Sequence, residues 1–407
     1  MPFVRFLQDR TGGVAPLLGL GLIPLVGAVG AAVDYSRADA ARIAMQSAAD
    51  AATLMMLKGA QGSNSPAVDN ANAYFNANFS RPEVQDVQVS IATSPAPGGV
   101  SLKMTANGSI KTQFMALMGF SVLSLSVSST ALAYADGLGC VLSLDPNASG
   151  AMAAQGSASV NLKGCSLYDN SQSESALTVG GSARISGLSV GVVGGISGSS
   201  NITASQGIKT GIGPVADPYA AVSLPTFFGC KEENFRAKEP VTINPGVYCG
   251  GITAQAGAEI TLNPGIYYLD GGSLSVNGGA AISGTGVTLV FTKKTEKNWA
   301  TAAINGNASV NLTPPKSGPT AGIVMFGDRG IPVGTSFKFN GGINQYLGGA
   351  VYLPTAAIDF SGGAGAGTSC TQLIGNTVKF SGNSSLAIDC SSFGTKPFSP
   401  WVIKLTS

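Results

Sequence analysis

From Thr11 to Val33 the chain runs for 23 residues without a charge, between Arg5, Asp9 and Arg10 on one side and Asp34, Arg37 and Asp39 on the other. A helix of that length reaches roughly 35 Å, against about 30 Å of bilayer hydrocarbon, so the pattern predicts a membrane span. Gly27 and Ala31 form a small-xxx-small pair and Gly30 lies between them, which makes Gly27, Gly30 and Ala31 the candidate helix-packing residues. Pro16 and Pro24 fall inside the stretch, and a membrane helix tolerates them when neighbouring groups satisfy the freed carbonyls. A cleavable signal peptide ending near Ala28-Val29-Gly30 is the competing reading. Its apolar segment would run about 7–15 residues, whereas this one is longer and passes directly into a second helical pattern, which favours a retained anchor.

That second pattern covers Tyr35 to about Ala60. Ala38, Ala41, Met45, Ala48, Ala52 and Met55 recur at three- and four-residue steps, with Arg37, Asp39, Arg42, Gln46 and Asp50 on other faces. Two readings stay open for the stripe: a plain core helix, or a helix that leaves the bilayer and offers its Ala/Met face to a partner. Residues 61–136 then read as a small α+β module. Asp86–Thr93 and Val100–Ala106 alternate with period two around Pro95-Ala-Pro-Gly-Gly, which predicts a hairpin; Lys111–Phe120 is a short helix candidate and Ser121–Ala133 a further strand. By fold-level analogy this arrangement is pilin-like.

Residues 137–407 change character, with short alternating strands, Gly/Ser/Asn turns and few charges. Ser157-Ala-Ser-Val-Asn-Leu162 returns as Asn307-Ala-Ser-Val-Asn-Leu312, and Asn244-Pro-Gly-Val-Tyr248 returns 19 residues later as Asn263-Pro-Gly-Ile-Tyr267, each of these followed by a Gly-Gly pair. Repeats near that period predict a parallel β-helix, a Gly-rich β-solenoid, with a β-sandwich or jelly roll as the alternative. Phe227–Pro240, rich in charge and proline, is expected to interrupt the coils as a helical loop. The fold class is thus mainly β, behind an N-terminal transmembrane and amphipathic helix (residues 1–60) and the small module.

Six cysteines, Cys140, Cys165, Cys230, Cys249, Cys370 and Cys390, all lie in this last region, and none forms a C-x-x-C pair. An even count on well-separated strands predicts disulfides rather than zinc, and the spacing favours 140–165, 230–249 and 370–390. Disulfides place the region outside the cytoplasm. The positive-inside rule decides nothing, because Arg5 and Arg10 balance Arg37 and Arg42.

Composition narrows the function. There is no histidine among 407 residues, which excludes histidine catalysis and histidine-ligated metals within the chain. A net charge of +2 from 23 basic and 21 acidic residues gives no footprint for nucleic acid. Val141-Leu-Ser-Leu-Asp145-Pro-Asn-Ala-Ser149 imitates an Asp-x-Ser-x-Ser metal site, but the long helices such a domain needs downstream are missing, so a turn is expected and no metal or other cofactor. The acids Asp169, Glu174, Asp217, Glu259, Asp270, Asp328, Asp359 and Asp389 are scattered, Glu232-Glu233 and the Lys293–Lys297 run read as solvated loops, and no enzymatic activity is expected. Tyr248, Tyr267, Tyr268 and Trp299 are either stacked core residues or the lining of a sugar groove.

Arg10-Thr-Gly-Gly-Val-Ala-Pro, Ala32-Val-Asp-Tyr-Ser-Arg37 and Gln46-Ser-Ala-Ala-Asp-Ala-Ala-Thr-Leu54, in this order across residues 5–60, resemble the TadE/TadG-like N-terminal region of Flp (Tad) pilus assembly proteins. The resemblance implies a single-pass protein of the bacterial inner membrane, N-terminus cytoplasmic and bulk periplasmic or surface-exposed, whose partners are the lipid bilayer and other pilus-assembly subunits. It implies a non-catalytic assembly factor or minor pilus component. A surface adhesin, a β-solenoid binding surface carbohydrate or protein, is the alternative. The chain departs from the family twice: Leu18 stands where prepilin-type processing wants Glu, and a β-rich body stands where many TadG proteins carry a von Willebrand A domain.

Overall fold

The computed structural model describes residues 14–59, 70–96, 99–135, 138–294, 296–340, 345–361, 370–382, 384–387 and 393–406. They form two units, one from the N-terminal 134 residues together with 401–407, the other from residues 135–400. The larger unit is an insertion between two strands of the smaller. Residues 401–407 belong to the first unit and not to the body.

In the first unit, helix α1 runs unbroken over Val14–Gly59, 46 residues and roughly 70 Å. Its two halves differ. Leu18, Leu20, Leu22, Leu25, Val26 and Val29 are exposed, whereas Ala38, Ala41, Met45, Ala48, Ala49, Ala52, Met56 and Leu57 are buried. The buried half covers a sheet of strands β1 (Val84–Ala96), β2 (Gly99–Lys111), β3 (Val122–Ala135) and the C-terminal strand Trp401–Leu405, in that order. The β1–β2 and β2–β3 pairs are antiparallel. Period-two burial puts Leu102, Met104 and Ala106 of β2 and Leu125, Val127, Ala131 and Ala133 of β3 into one core with the helix. Small alanines let the helix sit close to the pleat. A further helix, α2 (Ala71–Asn78), adds Phe75 to the same core. Two corrections follow. The Ala/Met stripe faces its own sheet rather than a partner, and Met55 is 48% exposed while Met56 takes the core position.

The second unit is built of parallel strands. Residues Ile208, Val190, Leu167, Val141, Leu373, Val351, Met325, Leu289 and Tyr267 stand in successive registered pairs across its main sheet. The order of that column is not the order of the chain. The chain enters in the middle at Gly139–Ser143, steps outward to Ile208–Thr210 at one edge, reappears at Glu232–Ala237 on the opposite edge, and works back until Thr371–Phe380 pairs with Gly139–Ser143. Strands Gly265–Val276 and Gly349–Phe360 bend and pair on both arms, and so close a ring of six parallel strands with 287–292, 323–327, 336–339 and 301–304. At Gly272, φ is +69° and an added Cβ would strike the Gly250 carbonyl, so only glycine bends the chain there. Two smaller sheets, of four and five strands, flank the main one. The parallel ladders do not fit the sandwich alternative.

Residues 211–231 link the two edges. Eleven strands at about 4.8 Å make this a path near 50 Å, within reach of an extended segment of that length. Val215, Tyr219, Val222, Leu224 and Phe227 lie along Leu142, Tyr168, Ile374, Tyr352, Phe326 and Val290, which register with one another on the face opposite the inner column. This strap explains why Gly139–Ser143, Val287–Thr292 and Ile323–Gly327 are buried at every position: both faces of the sheet are covered. Phe227–Pro240 is accordingly corrected. It holds the end of the strap and the strand Glu232–Ala237, paired with Gly246–Ala254, and no helix.

Candidate functional site

Where the exposed half of α1 meets the buried half, Asp34 accepts hydrogen bonds from the amides of Gln113 (3.0 Å), Phe114 (2.8 Å) and Met115 (2.8 Å). Arg37, one turn on, lies 3.8 Å from the same carboxylate. The amides begin a single 3₁₀ turn, Met115–Met118, where no intrahelical acceptor exists, and a carboxylate is the strongest substitute. The turn closes through Gly119 (φ +91°), whose amide donates to Ala116 O while Phe120 N donates to Met115 O. Thr112 Oγ1 donates to the Phe120 carbonyl.

The turn leans on the glycines of the helix. A Cβ on Gly30 would come within 2.5 Å of Phe114 Cβ, so glycine alone admits that ring. Gly27 faces Met118 Sδ, 3.6 Å from its Cβ position, and Ala31 lines an open apolar groove of about 750 Å³ with Leu22, Val26, Phe114 and Leu117. The close approach that Gly30 allows is thus used within the chain; Gly27 and Ala31 remain on the groove. Among the described residues this corner gathers the candidate packing residues and the most exposed apolar side chain, Leu117 at 87%.

In the body, Cys140–Cys165 and Cys230–Cys249 are disulfides with Cα separations of 5.8 and 5.6 Å. Cys370 is also disulfide-bonded; Cys390, like Asp389, lies outside the described residues. Asp145 lies just past the strand Gly139–Ser143, with Oδ1 accepting the Asn147 and Ala148 amides (2.9 and 2.8 Å) and Oδ2 accepting from Asn376 Nδ2 (3.0 Å). Desolvation works against these bonds, which nonetheless hold its carboxyl below the ordinary value. Among the described residues no three His, Cys, Asp or Glu side chains gather as a metal site. Asp270, 1% exposed, accepts the Lys294 amide at 2.6 Å. Glu232 and Glu233 are exposed on an edge strand, not in a loop.

Three of the four aromatic candidates, Tyr248, Tyr267 and Tyr268, are core residues. Tyr248 and Tyr267 stack with centroids 5.8 Å apart, and each hydroxyl donates to the carbonyl four residues back, Asn244 and Asn263. Asn263 Nδ2 in turn donates to Asn244 Oδ1. The Asn-Pro-Gly-x-Tyr repeat is a stacking device, and burial pushes the Tyr248 hydroxyl up to about 12. Tyr268 packs against Phe227 and Trp299 is partly buried, so these four aromatics do not form an open sugar platform.

Sequence reasoning missed the network that fastens the strap. Arg329 donates to the Val222 and Tyr219 carbonyls and to Tyr352 Oη, Tyr352 donates to Asp217 Oδ2, and Tyr219 donates to Gln372 Oε1 while accepting from the Lys396 amide. Burial pushes the Tyr219 hydroxyl up to about 12, with the Lys396 amide opposing. These groups hydrogen-bond one another and fasten the strap to the sheet.

No curated protein and no solved structure matches the chain. Residues 12–61, the whole of α1 from its apolar half to its buried half, match the Tad family model, Flp pilus-assembly TadE/G-like.

Proposed function

We propose that the protein is a non-catalytic, membrane-tethered assembly factor or minor component of a Tad-type pilus. One observation carries the reading: the TadE/G-like match falls on a helix whose N-terminal half is apolar and exposes Leu18, Leu20, Leu22, Leu25, Val26 and Val29. A window of this helix has mean hydropathy 1.6 with 12% of it buried, unlike a core helix. Water does not tolerate such a surface, and a bilayer or neighbouring helices would cover it. The disulfides favour an oxidising compartment for the body, hence a cytoplasmic N-terminus and a periplasmic or surface-exposed bulk. We read the stacked parallel strands as coils of a β-helix whose chain order is permuted, displayed as a rigid, low-charge surface. The adhesin alternative has less support, because Tyr248, Tyr267, Tyr268 and Trp299, its candidate sugar-binding aromatics, are packed in the body.

The test deletes residues 136–400 and joins the flanks by a short linker. The first unit should survive, because Lys404 Nζ lies 5.3 Å from the Tyr134 ring and Thr406 N donates to Thr130 O. Loss of pili on deleting the whole chain, with the truncated chain still found in cross-links to other pilus subunits, supports the assembly role. Normal piliation in the full deletion ends it.

A further inference from the structure

The turn from Phe114 to Phe120 has no work inside the first unit that would explain its surface. Phe114, Leu117, Met118, Phe120 and Val122 are 41%, 87%, 51%, 62% and 49% exposed, and no charge occurs between Lys111 and Asp136. The turn does not point away from the helix. Met118 meets it at Gly27, six residues and roughly 9 Å below Val33, where the charge-free stretch ends. A bilayer that covers Leu25, Val26 and Val29 therefore reaches the level of the turn.

Irregular backbone is tolerated at that depth only where its polar groups are satisfied internally. Seven of its amides have such partners here. The amides of Thr112, Leu117, Gly119 and Phe120 donate to carbonyls of Ser121, Phe114, Ala116 and Met115, and those of Gln113, Phe114 and Met115 donate to Asp34. We infer that this turn is a second membrane contact, a wedge of apolar side chains set among the lipid acyl chains of one leaflet beside the span, and that Asp34 is the residue that positions it. The inference rests on the membrane-tethered reading above. Lipid is favoured over a second protein because the surface is continuous with the exposed helix and offers Phe, Leu and Met side chains with no charged group between Lys111 and Asp136.

Full-length protein carrying Leu117→Trp, and separately Val29→Trp, is reconstituted in phosphatidylcholine vesicles whose acyl chains are brominated. The added emission is read against the parent, which holds only Trp299 and Trp401. Quenching at Leu117 by brominated lipid should be at least about half as strong as at Val29, with little quenching by aqueous acrylamide. Met118→Trp should behave alike, which guards against local misfolding at one position. Lipid quenching at Val29 but acrylamide quenching at Leu117 puts the turn in water and overturns this inference while the anchor stands. Protection from both quenchers at Leu117, with cross-linking to a second copy, replaces lipid by protein and overturns it too. Absence of lipid quenching at Val29 ends the membrane-tethered reading itself.

Discussion

The two units bury their apolar surface to opposite degrees. Among the described residues the large exposed hydrophobics of the body are Leu138, Ile208, Phe228 and Val333, scattered singly, whereas the first unit exposes Leu18, Leu20, Leu22, Leu25, Val26 and Val29 along α1 together with the turn beside it. The body goes further than a one-sided sheet requires: its strap seals the outer face of strands whose inner face is already core. A chain that can cover both faces of a parallel sheet in one unit and leaves a helix bare in the other has not failed to fold there. On the membrane-tethered proposal, the bare surface is matched to a different solvent.

The strongest way to break this contrast is to make the bare helix hydrophilic. Leu25→Lys together with Val29→Lys should cost about 5–7 kcal/mol of membrane insertion at mid-helix and move the protein from the alkaline-resistant membrane fraction to the soluble one, with the body's disulfides intact. Unchanged retention would mean that lipid does not cover this surface. Next in size is the core of the first unit. Phe75→Ala removes a fully buried ring and should destabilise that unit by about 3–5 kcal/mol. Denaturant unfolding followed by hydrogen exchange should show the loss confined to residues 35–135, and equal loss in the body would show that the two units unfold as one.

What was legible in the sequence follows from how local each signal is. The long apolar helix, the hairpin and the Asn-Pro-Gly-x-Tyr repeat rest on residues close in the chain, so periodicity and turn chemistry found them. The stripe on α1 was visible but not its partner, because Ala38 and Met45 carry the same pattern whether the facing surface is a neighbour or the chain's own β2 and β3. The strap was illegible. Its apolar residues follow no period, since they meet a register column drawn from strands as far apart in sequence as Leu142 and Ile374. Glu232-Glu233 read as loop for a related reason: an edge strand leaves charged side chains in water. The role of Asp34 needed the structure as well, because its acceptors' partners lie some eighty positions later.

A smaller effect sharpens the body's side of the comparison. Arg329→Ala leaves two strap carbonyls and the Tyr352 hydroxyl without their donor and should cost about 1–3 kcal/mol, read as faster amide exchange over residues 212–227. Arg329→Lys should recover only part of it, because an ammonium cannot reproduce the guanidinium fork. Wild-type exchange in the alanine variant would mean that apolar contact alone holds the strap.

The smallest expected effect concerns two carboxylates of the body that titrate in opposite senses. Hydrogen bonds hold the Asp145 carboxyl low, so its stabilising contribution is present above the ordinary carboxylate value and fades as pH falls through the lower, folded one. Desolvation pushes Asp169 up, against the Ser143 hydroxyl and the Ser171 amide. The folded state therefore binds the Asp169 proton more tightly than the unfolded chain, and stability falls as pH rises from the ordinary value through the raised one. Asp145→Asn should cost about 1 kcal/mol at neutral pH, because the charge-assisted bonds to Asn147 and Ala148 weaken. Asp169→Asn keeps an acceptor for the Ser171 amide, 2.9 Å from Oδ1, and removes a buried charge, so it should leave neutral-pH stability unchanged or raise it by less than about 1 kcal/mol. Unfolding midpoints of the oxidised protein between pH 3 and 8 decide the matter, since each variant should lose the pH-dependence of its own carboxylate. Equal destabilisation by both at neutral pH would mean that the Asp169 charge is held by bonds as favourable as those at Asp145, and that the closed body stabilises a buried anion after all.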